Sequence, residues 1–336
     1  METLLVKASD EQLLMASELL GKGEVVAVPT ETVYGLAANA FDINAVKKIF
    51  SAKGRPQDNP LILHIGNFDM LYKITDNVPE LALKLAKDFW PGPLTMIFPR
   101  KSSVPSETCG GLDTAAVRMP DNDFTRRLID KCGFPLAAPS ANTSGRPSPT
   151  SAQHVFFDMN GKIPMIVDGG ECSCGVESTV ICFDSGRIRV LRPGAVTPEM
   201  LREYAEVIVD NGVLKQLLPS EKVLSPGMKY KHYSPNADVF ILKSSNECLF
   251  DFLADKSSGD KKIAVLWSEC DIPENVISLP YGSSSEEQAE NLFSSLRQAD
   301  ELGCSEVYVK MPDTIGIGLA VYNRLLRAAA FRVIEL

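Results

Sequence analysis

The 336-residue sequence predicts an α/β protein of two domains: a larger one over residues 1–212 and a smaller one over 238–336, joined by a distinct segment at 213–237. Three observations carry this expectation. The chain is longer than a single hydrophobic core usually serves. Short apolar runs alternate with stretches of helical period on both sides of the joining segment. The segment itself breaks that alternation with three prolines and a cluster of basic and aromatic side chains.

Taken in order, the N-terminus METLLVKASDEQLLMASELL reads as a strand and a helix. With no basic stretch followed by an apolar run and a small-residue cleavage site, it is expected to be this strand and helix rather than a signal peptide. Val25–Val28 is a short buried strand ending at Pro29, and Asn44–Lys53 a helix with Ala45, Ile49 and Ala52 on one face. Leu61–Ile65 is a strand. Glu80–Phe89 is a helix closed by Trp90-Pro91-Gly92-Pro93. Further strands are expected at Leu94–Phe98, Ala115–Met119, Met165–Val167, Thr179–Phe183 and Ile188–Leu191. Beyond the joining segment come strand Val239–Leu242, a helix around Cys248–Ala254, strand Ile263–Leu266 and helix Glu286–Leu302. Strand Glu306–Val309, helix Gly318–Ala330 and strand Phe331–Ile334 complete a βαβαβαβ unit, which implies a small parallel sheet with covering helices. That unit carries few candidate catalytic groups, so a regulatory or covering role suits it better than chemistry.

Composition narrows the function classes. Thirty-four basic against 43 acidic residues give a net charge of −9, which opposes a dedicated nucleic-acid binder but leaves room for a local basic groove. No apolar run approaches the roughly 20 residues that span a bilayer, so a cytoplasmic protein is expected. The eight cysteines are scattered, and Cys172-Ser-Cys174 without a second pair is a poor zinc signature.

The chemistry sits in polar loops that follow strands, where ligands of α/β sheets collect. Pro29–Leu36 (P-T-E-T-V-Y-G-L) offers hydroxyls and a carboxylate, although Thr30 or Thr32 would also serve as helix caps beside a core Tyr34. Lys53-Gly54-Arg55 places two cations on a turn, suited to a polyphosphate. His64 lies in a strand on the face opposite Leu63 and Ile65. Arg118, in an apolar strand, must find a carboxylate from ligand or protein. Ala137–Ser148 ends a strand and supplies hydroxyls and backbone N–H groups, without a Walker string. The strings around Asp168–Val180 and Leu191–Gly194 repeat the pattern of strand end, turn and one strong polar group. Together these loops suit a nucleotide and a small amino or hydroxy acid.

The strings P-T-E-T-V-Y-G-L, K-G-R-P-x-x-N-P-L, W-P-G-P-L-T, V-R-M-P, A-P-S-A-N-x-S-G-x-P-S-P-T, G-V-E-S-T-V, L-R-P-G and S-P-G-M-K-Y-K-H-Y-S-P run from Pro29 to Pro235. In combination they resemble the threonylcarbamoyl-AMP synthase family in its long form, which joins a YrdC-like domain to a smaller C-terminal domain. The resemblance implies a twisted mixed sheet with a concave, positively charged face, plus a Rossmann-like parallel α/β domain whose sequence matches only in length and layout. It implies a nucleotidyltransferase, L-threonylcarbamoyladenylate synthase, that converts L-threonine, bicarbonate or carbon dioxide, and ATP into L-threonylcarbamoyl-adenylate and pyrophosphate. Separate transfer enzymes would then modify the tRNA adenosine beside the anticodon.

By that similarity Thr32, His64, Arg118, Ala138 and Ser178 would hold threonine. Lys53, Arg55, Asn59, Thr114, Ser140, Ser148 and Arg192 would hold ATP, with Lys53 and Arg55 catalytic through stabilising charge as pyrophosphate leaves. Mg2+ is expected on the polyphosphate, with no resident metal site and no dedicated general base. In the joining segment Lys229, Tyr230, His232 and Tyr233 are expected to form a lid, with simple gluing of the linker to a domain surface as the plainer reading. Two other functions stay open at this stage. One is weak binding of double-stranded RNA on the basic face. The other is carbamoyl transfer to a protein, although the cysteine pairs and acylphosphatase segment of such hydrogenase maturation factors are missing.

Overall fold

The structure, a computed structural model, describes residues 2–215, 232–244, 246–268 and 271–336. They form two compact units: residues 2–144 with 148–215, and residues 145–147 with 232–336. Nothing in the sequence marks residues 145–147 as part of the second unit.

The first unit begins β1 (Leu4–Lys7), α1 (Asp10–Gly21), β2 (Val26–Val28), β3 (Gly35–Asn39), α2 (Ile43–Lys53) and β4 (Ile62–His64). There follow α3 (Phe68–Ile74), α4 (Glu80–Phe89), β5 (Leu94–Pro99), β6 (Thr114–Arg118), α5 (Asp123–Cys132) and β7 (Leu136–Ala137). It closes with α6 (Ala152–Met159), β8 (Met165–Asp168), β9 (Thr179–Asp184), β10 (Arg187–Arg192), α7 (Pro198–Leu201) and β11 (Val207–Val209). The strands make one mixed sheet in the order β1-β8-β2-β3-β7-β4-β6-β5-β9-β10-β11.

Strand register sets the two faces of this sheet. Leu63, Val117, Met96 and Ile181 stand opposite one another across β4, β6, β5 and β9, and all four are fully buried. One residue along, the alternation of the pleat turns the next row to the opposite face. That row is polar: Arg118 on β6 is flanked by its partners His64 on β4 and Thr95 on β5. A one-residue slip would exchange the rows and bury the arginine in the hydrocarbon core, so the apolar row fixes the polar one.

Local chemistry sets the helix ends next to the site. Asp42 caps α2 by accepting from the backbone N–H of Asn44 and Ala45 at 2.9 and 3.3 Å. Gly54, left-handed at φ 61°, stops the helix one residue after Lys53 and lets the chain turn toward Arg55. The P-T-E-T-V-Y-G-L string is a loop only as far as Tyr34. Its last two residues open β3, which the sequence reading left out because G-L-A-A-N has no β-branched residue.

The second unit is built from β12 (Asp238–Lys243), α8 (Asn246–Lys256), β13 (Ile263–Leu266), β14 (Ile277–Ser278), α9 (Ser285–Glu301), β15 (Glu306–Lys310), α10 (Gly318–Ala328) and β16 (Val333–Glu335). Its sheet is parallel throughout, in the order β14-β13-β15-β12-β16. A capping box at Ser284 and Glu287 starts α9. Leu249, Leu253, Ile263, Val265 and Tyr308 are among its core residues. Arg146 pairs with Asp300 at 2.9 Å in this unit. Among the described residues no helix is long and apolar enough to cross a membrane.

Candidate active site

Arg118 ends β6 with its guanidinium almost wholly buried. Its Nε donates to the Gly92 carbonyl at 3.2 Å and its Nη1 to Thr32 Oγ1 at 2.9 Å. Nη2 lies 2.6 Å from Glu31 Oε1, but the N–H is not aimed at that oxygen. The pair is therefore an ion pair by distance without a directed hydrogen bond. The carboxylate that Arg118 requires is thus supplied by the protein through Glu31, a residue given no separate role in the sequence reading.

Thr32 is held in turn by Thr30, their hydroxyls 2.9 Å apart, while Thr30 Oγ1 closes the turn onto the Val33 carbonyl at 2.6 Å. These threonines shape the loop and cap no helix. Tyr34 is a core residue: its hydroxyl donates to the Gly170 carbonyl at 2.7 Å and accepts from the Gly169 N–H at 3.0 Å. His64, beside Arg118 on β4, is buried, and its Nε2 has no hydrogen-bond partner among the described residues. Burial, reinforced by the Arg118 charge, pushes its pKa well below the usual histidine range, so the imidazole is neutral at physiological pH.

Thr95, opposite Arg118 on β5, carries the polar row onward through a 2.8 Å hydroxyl contact with Ser178. Arg192 grips the same residue twice, Nε to the Ser178 carbonyl at 3.1 Å and Nη2 to its Oγ at 3.2 Å. This grip depends on Gly194. A Cβ there would fall 2.4 Å from the Thr179 nitrogen and 2.7 Å from the Glu177 carbonyl oxygen, closer than backbone allows. The L-R-P-G turn therefore lies directly on the E-S-T backbone. Glu177, within the quoted G-V-E-S-T-V string, accepts from the Ser148 hydroxyl and ties the hydroxyl-rich loop to this corner.

Lys53 forms a second focus. Buried at the end of α2, it donates to the carbonyls of Ser140 and Asn142, the latter at 2.6 Å, and reaches Asn142 Oδ1 at 3.3 Å. Ser140 Oγ bonds the same Asn142 amide oxygen, and Ser140 forms a bridge with Gly35 beside the Thr30–Tyr34 loop. Asn142 is thus a further site residue, carried within the quoted A-P-S-A-N string. Arg55 instead turns back on its own loop, with Nη2 3.1 Å from the Pro60 carbonyl and Nε 3.4 Å from that of Asn59. The Asn59 side-chain oxygen is buried without a hydrogen-bond partner among the described residues. Ala138, just after β7, donates its N–H to the Ile62 carbonyl at 3.0 Å. Thr114 stands at the opposite end of β6 from Arg118, about 13 Å along the strand, and joins neither focus directly.

Of the expected lid residues, Lys229 and Tyr230 lie outside the described residues. Tyr233 is buried in the second unit, its ring stacked on Phe293 at 5.3 Å with the Arg324 guanidinium 5.7 Å above it, and His232 packs edge-on at 4.1 Å. Both side chains pack within that unit. Burial pushes the thiols of Cys109 and Cys132 up to about 11 and about 12, so both are protonated and unreactive at neutral pH.

Comparison with known proteins adds to this geometry. Residues 18–194 match the family described as "Telomere recombination", and residues 196–330 match "Threonylcarbamoyl-AMP synthase, C-terminal domain". The chain belongs to the threonylcarbamoyl-AMP synthase family. It is 44% identical over 329 residues to the threonylcarbamoyl-AMP synthase of Pyrococcus abyssi, covering 96% of each chain. It is 45% identical to that of Bacillus subtilis, covering 98% of this chain and 96% of the relative. Among solved structures, P. abyssi Sua5 complexed with L-threonine superposes with a TM-score of 0.92 at 42% identity, covering 100% of this chain and 99% of that one. A histidine-and-tyrosine double-alanine variant of the same protein gives a TM-score of 0.94 at 41% identity. The two-domain α/β architecture expected from the sequence is the architecture of this synthase family.

Proposed function

We infer that this chain synthesises L-threonylcarbamoyl-adenylate from L-threonine, bicarbonate or carbon dioxide, and ATP, with release of pyrophosphate. The product serves the N6-threonylcarbamoyl modification of tRNA adenosine next to the anticodon, through separate transfer enzymes. The observation that carries this reading is the pairing of two foci in one unit. A buried arginine set among hydroxyls suits an amino-acid carboxylate, and a buried lysine beside a hydroxyl-rich loop suits phosphate oxygens.

In this reading Arg118, Thr32, His64, Ala138 and Ser178 hold threonine. Neutral His64 has a buried nitrogen able to accept a hydroxyl proton. Arg192, gripping Ser178, and Ser148, on Glu177, extend the site toward the nucleotide. Lys53 and Ser140 meet the phosphates, while Arg55 and Asn59 line the neighbouring loop and Thr114 the far end of β6. The phosphate contact of Lys53 exchanges one of its loop carbonyls for a ligand oxygen, so the same ammonium shapes the loop and stabilises the charge that develops as pyrophosphate leaves. Alignment of the carbamate oxygen with the α-phosphorus supplies the acceleration. Magnesium travels on the polyphosphate. Phosphate oxygens and water are the ordinary ligands of this ion.

Incubation with ATP, L-threonine and isotopically labelled bicarbonate, followed by mass spectrometry, tests the reading. Label is expected in an adenylate of the predicted mass together with pyrophosphate. Pyrophosphate formation that does not require both threonine and bicarbonate would overturn it.

A further inference from the structure

Among the described residues at the threonine focus, Glu31 has a counter-ion role but no role toward the ligand in the assignments above. Its side chain is 91% buried, with 9% of its surface exposed. Both carboxylate oxygens lack a hydrogen-bond donor among the described residues, and so does the facing Nη2 of Arg118, although Oε1 and Nη2 are only 2.6 Å apart. If Glu31 served only to neutralise Arg118, the two planar groups would meet edge to edge in one plane with aligned N–H···O bonds, the favoured arrangement of this pair. They do not. The position of Glu31 is nevertheless well fixed. Its carbonyl accepts from the Cys174 N–H at 2.8 Å, and the flanking Thr30 and Thr32 are bonded to each other. A rigid backbone thus holds a carboxylate that has acceptor capacity to spare, next to a cation that has a donor to spare.

An α-amino acid carries the complementary pair. Its carboxylate and ammonium leave a single carbon, so a receptor for the zwitterion needs a cation and an anion side by side. We propose that Glu31 and Arg118 together read the zwitterion of the amino-acid substrate, Arg118 taking the carboxylate and Glu31 accepting from the α-ammonium. An ammonium with three donors can fill the unused Glu31 lone pairs, and the substrate carboxylate can meet the unaligned Nη2. Glu31 is then a specificity-determining residue that selects α-amino acids over hydroxy acids of the same shape. This inference rests on the threonine-site reading given above.

The test is isothermal titration of the full-length protein with L-threonine and with 2,3-dihydroxybutanoate of matching stereochemistry, in which a hydroxyl replaces the amine. The wild type is expected to prefer threonine by at least tenfold, and Glu31→Gln to reduce that preference about tenfold or more while ATP binding persists. Should Glu31→Gln not fold, Glu31→Asp keeps the charge but withdraws it by one methylene, and a smaller reduction in the same preference is expected. An unchanged preference in a folded variant overturns the proposal even where threonine affinity itself falls. Tighter threonine binding by Glu31→Gln also overturns it, because the carboxylate would then be a competitor of the substrate. A wild-type protein that binds neither compound overturns the threonine-site reading itself, and the proposal with it.

Discussion

Arg118→Met, alone and combined with Glu31→Gln, separates the structural work of the buried pair from its work on ligand. Methionine keeps an unbranched apolar stem like that of arginine but removes the guanidinium and its charge. The single change leaves the Glu31 carboxylate 91% buried and deprived of its counter-ion. Breaking a buried ion pair in this way costs about 3–5 kcal/mol. For a unit of this size each kcal/mol lowers Tm by roughly 2–4 °C, so the transition should fall by about 6–20 °C. Adding Glu31→Gln removes the stranded charge, and replacement of both partners of such a pair is often close to neutral. The double variant should therefore recover most of that loss. The remainder reflects the Gly92 carbonyl, which loses its 3.2 Å donor, and the Thr32 hydroxyl, which loses its 2.9 Å donor. Threonine binding behaves differently: the carboxylate contact is lost in both variants, at about 1.5–3 kcal/mol, or roughly ten- to 150-fold in Kd. Calorimetric melting and titration with threonine read the two quantities independently. A double variant no more stable than Arg118→Met would refute the pairing argument, and wild-type threonine affinity in either variant would refute the ligand assignment.

Three further outcomes follow from individual contacts. Lys53→Ala should depress pyrophosphate release far more than threonine affinity; unchanged ATP turnover would remove Lys53 from the phosphate site. Gly194→Ala forces a methyl to within 2.4–2.7 Å of the 177–179 backbone, so it should cost about 1–3 kcal/mol of stability. It should also weaken nucleotide binding through Arg192, and normal behaviour in both assays would show that the turn yields freely. His64 remains neutral in the folded protein but takes a proton when unfolded below its ordinary pKa of about 6.5, so the unfolded state binds more protons there and stability rises with pH up to that point. Urea titrations from pH 5.5 to 7.5 should show this contribution, up to about 1.4 kcal/mol per pH unit, in the wild type and not in His64→Asn. A wild-type-to-variant difference that is constant across the series would contradict the burial argument.

Strands with continuous β-branched or bulky apolar residues were legible in the sequence, as were helices with a clear apolar face. β4, β5, β6, β9 and β13 lie within a residue or so of the runs that predict them, and α4 coincides with its run. What escaped was small or short. β3 is Gly-Leu-Ala-Ala-Asn and β7 only Leu-Ala, so neither has the periodicity or bulk that marks a strand; pairing to larger neighbours makes them. α5 escaped for a different reason, because its strongly charged D-F-T-R-R-L-I-D-K-C has few apolar positions to count. The site divided along similar lines. Residue types that stand out, such as an arginine in an apolar strand, point to chemistry by themselves. Glu31, Asn142 and Glu177 do not, because an acid or amide in a polar loop is ordinary until the fold buries it.

The strand row beneath these loop residues is set by the register. The four fully buried residues Leu63, Val117, Met96 and Ile181 lock β4, β6, β5 and β9 into one alignment. The pleat then leaves no choice for the adjoining row, and His64, Arg118 and Thr95 arrive together on the other face as a consequence of core packing. The loops complete what the row begins: Thr32 and Glu31 come down onto Arg118, while Ser178 meets Thr95 and is clasped by Arg192. Polar groups gathered in this way lose water during folding and not during ligand binding. Their desolvation is met by the hydrophobic core, so under the proposed function a zwitterion or phosphate would find dipoles already oriented. The same logic explains why the cations rest on protein oxygens: Lys53 on two loop carbonyls, Arg118 on Gly92, Thr32 and Glu31. Under the proposed function each incoming ligand oxygen would improve on or replace an existing contact. Binding strength then depends on how much better the ligand's geometry is than the protein's own, and at Arg118 the unaligned Glu31 leaves the most room for improvement.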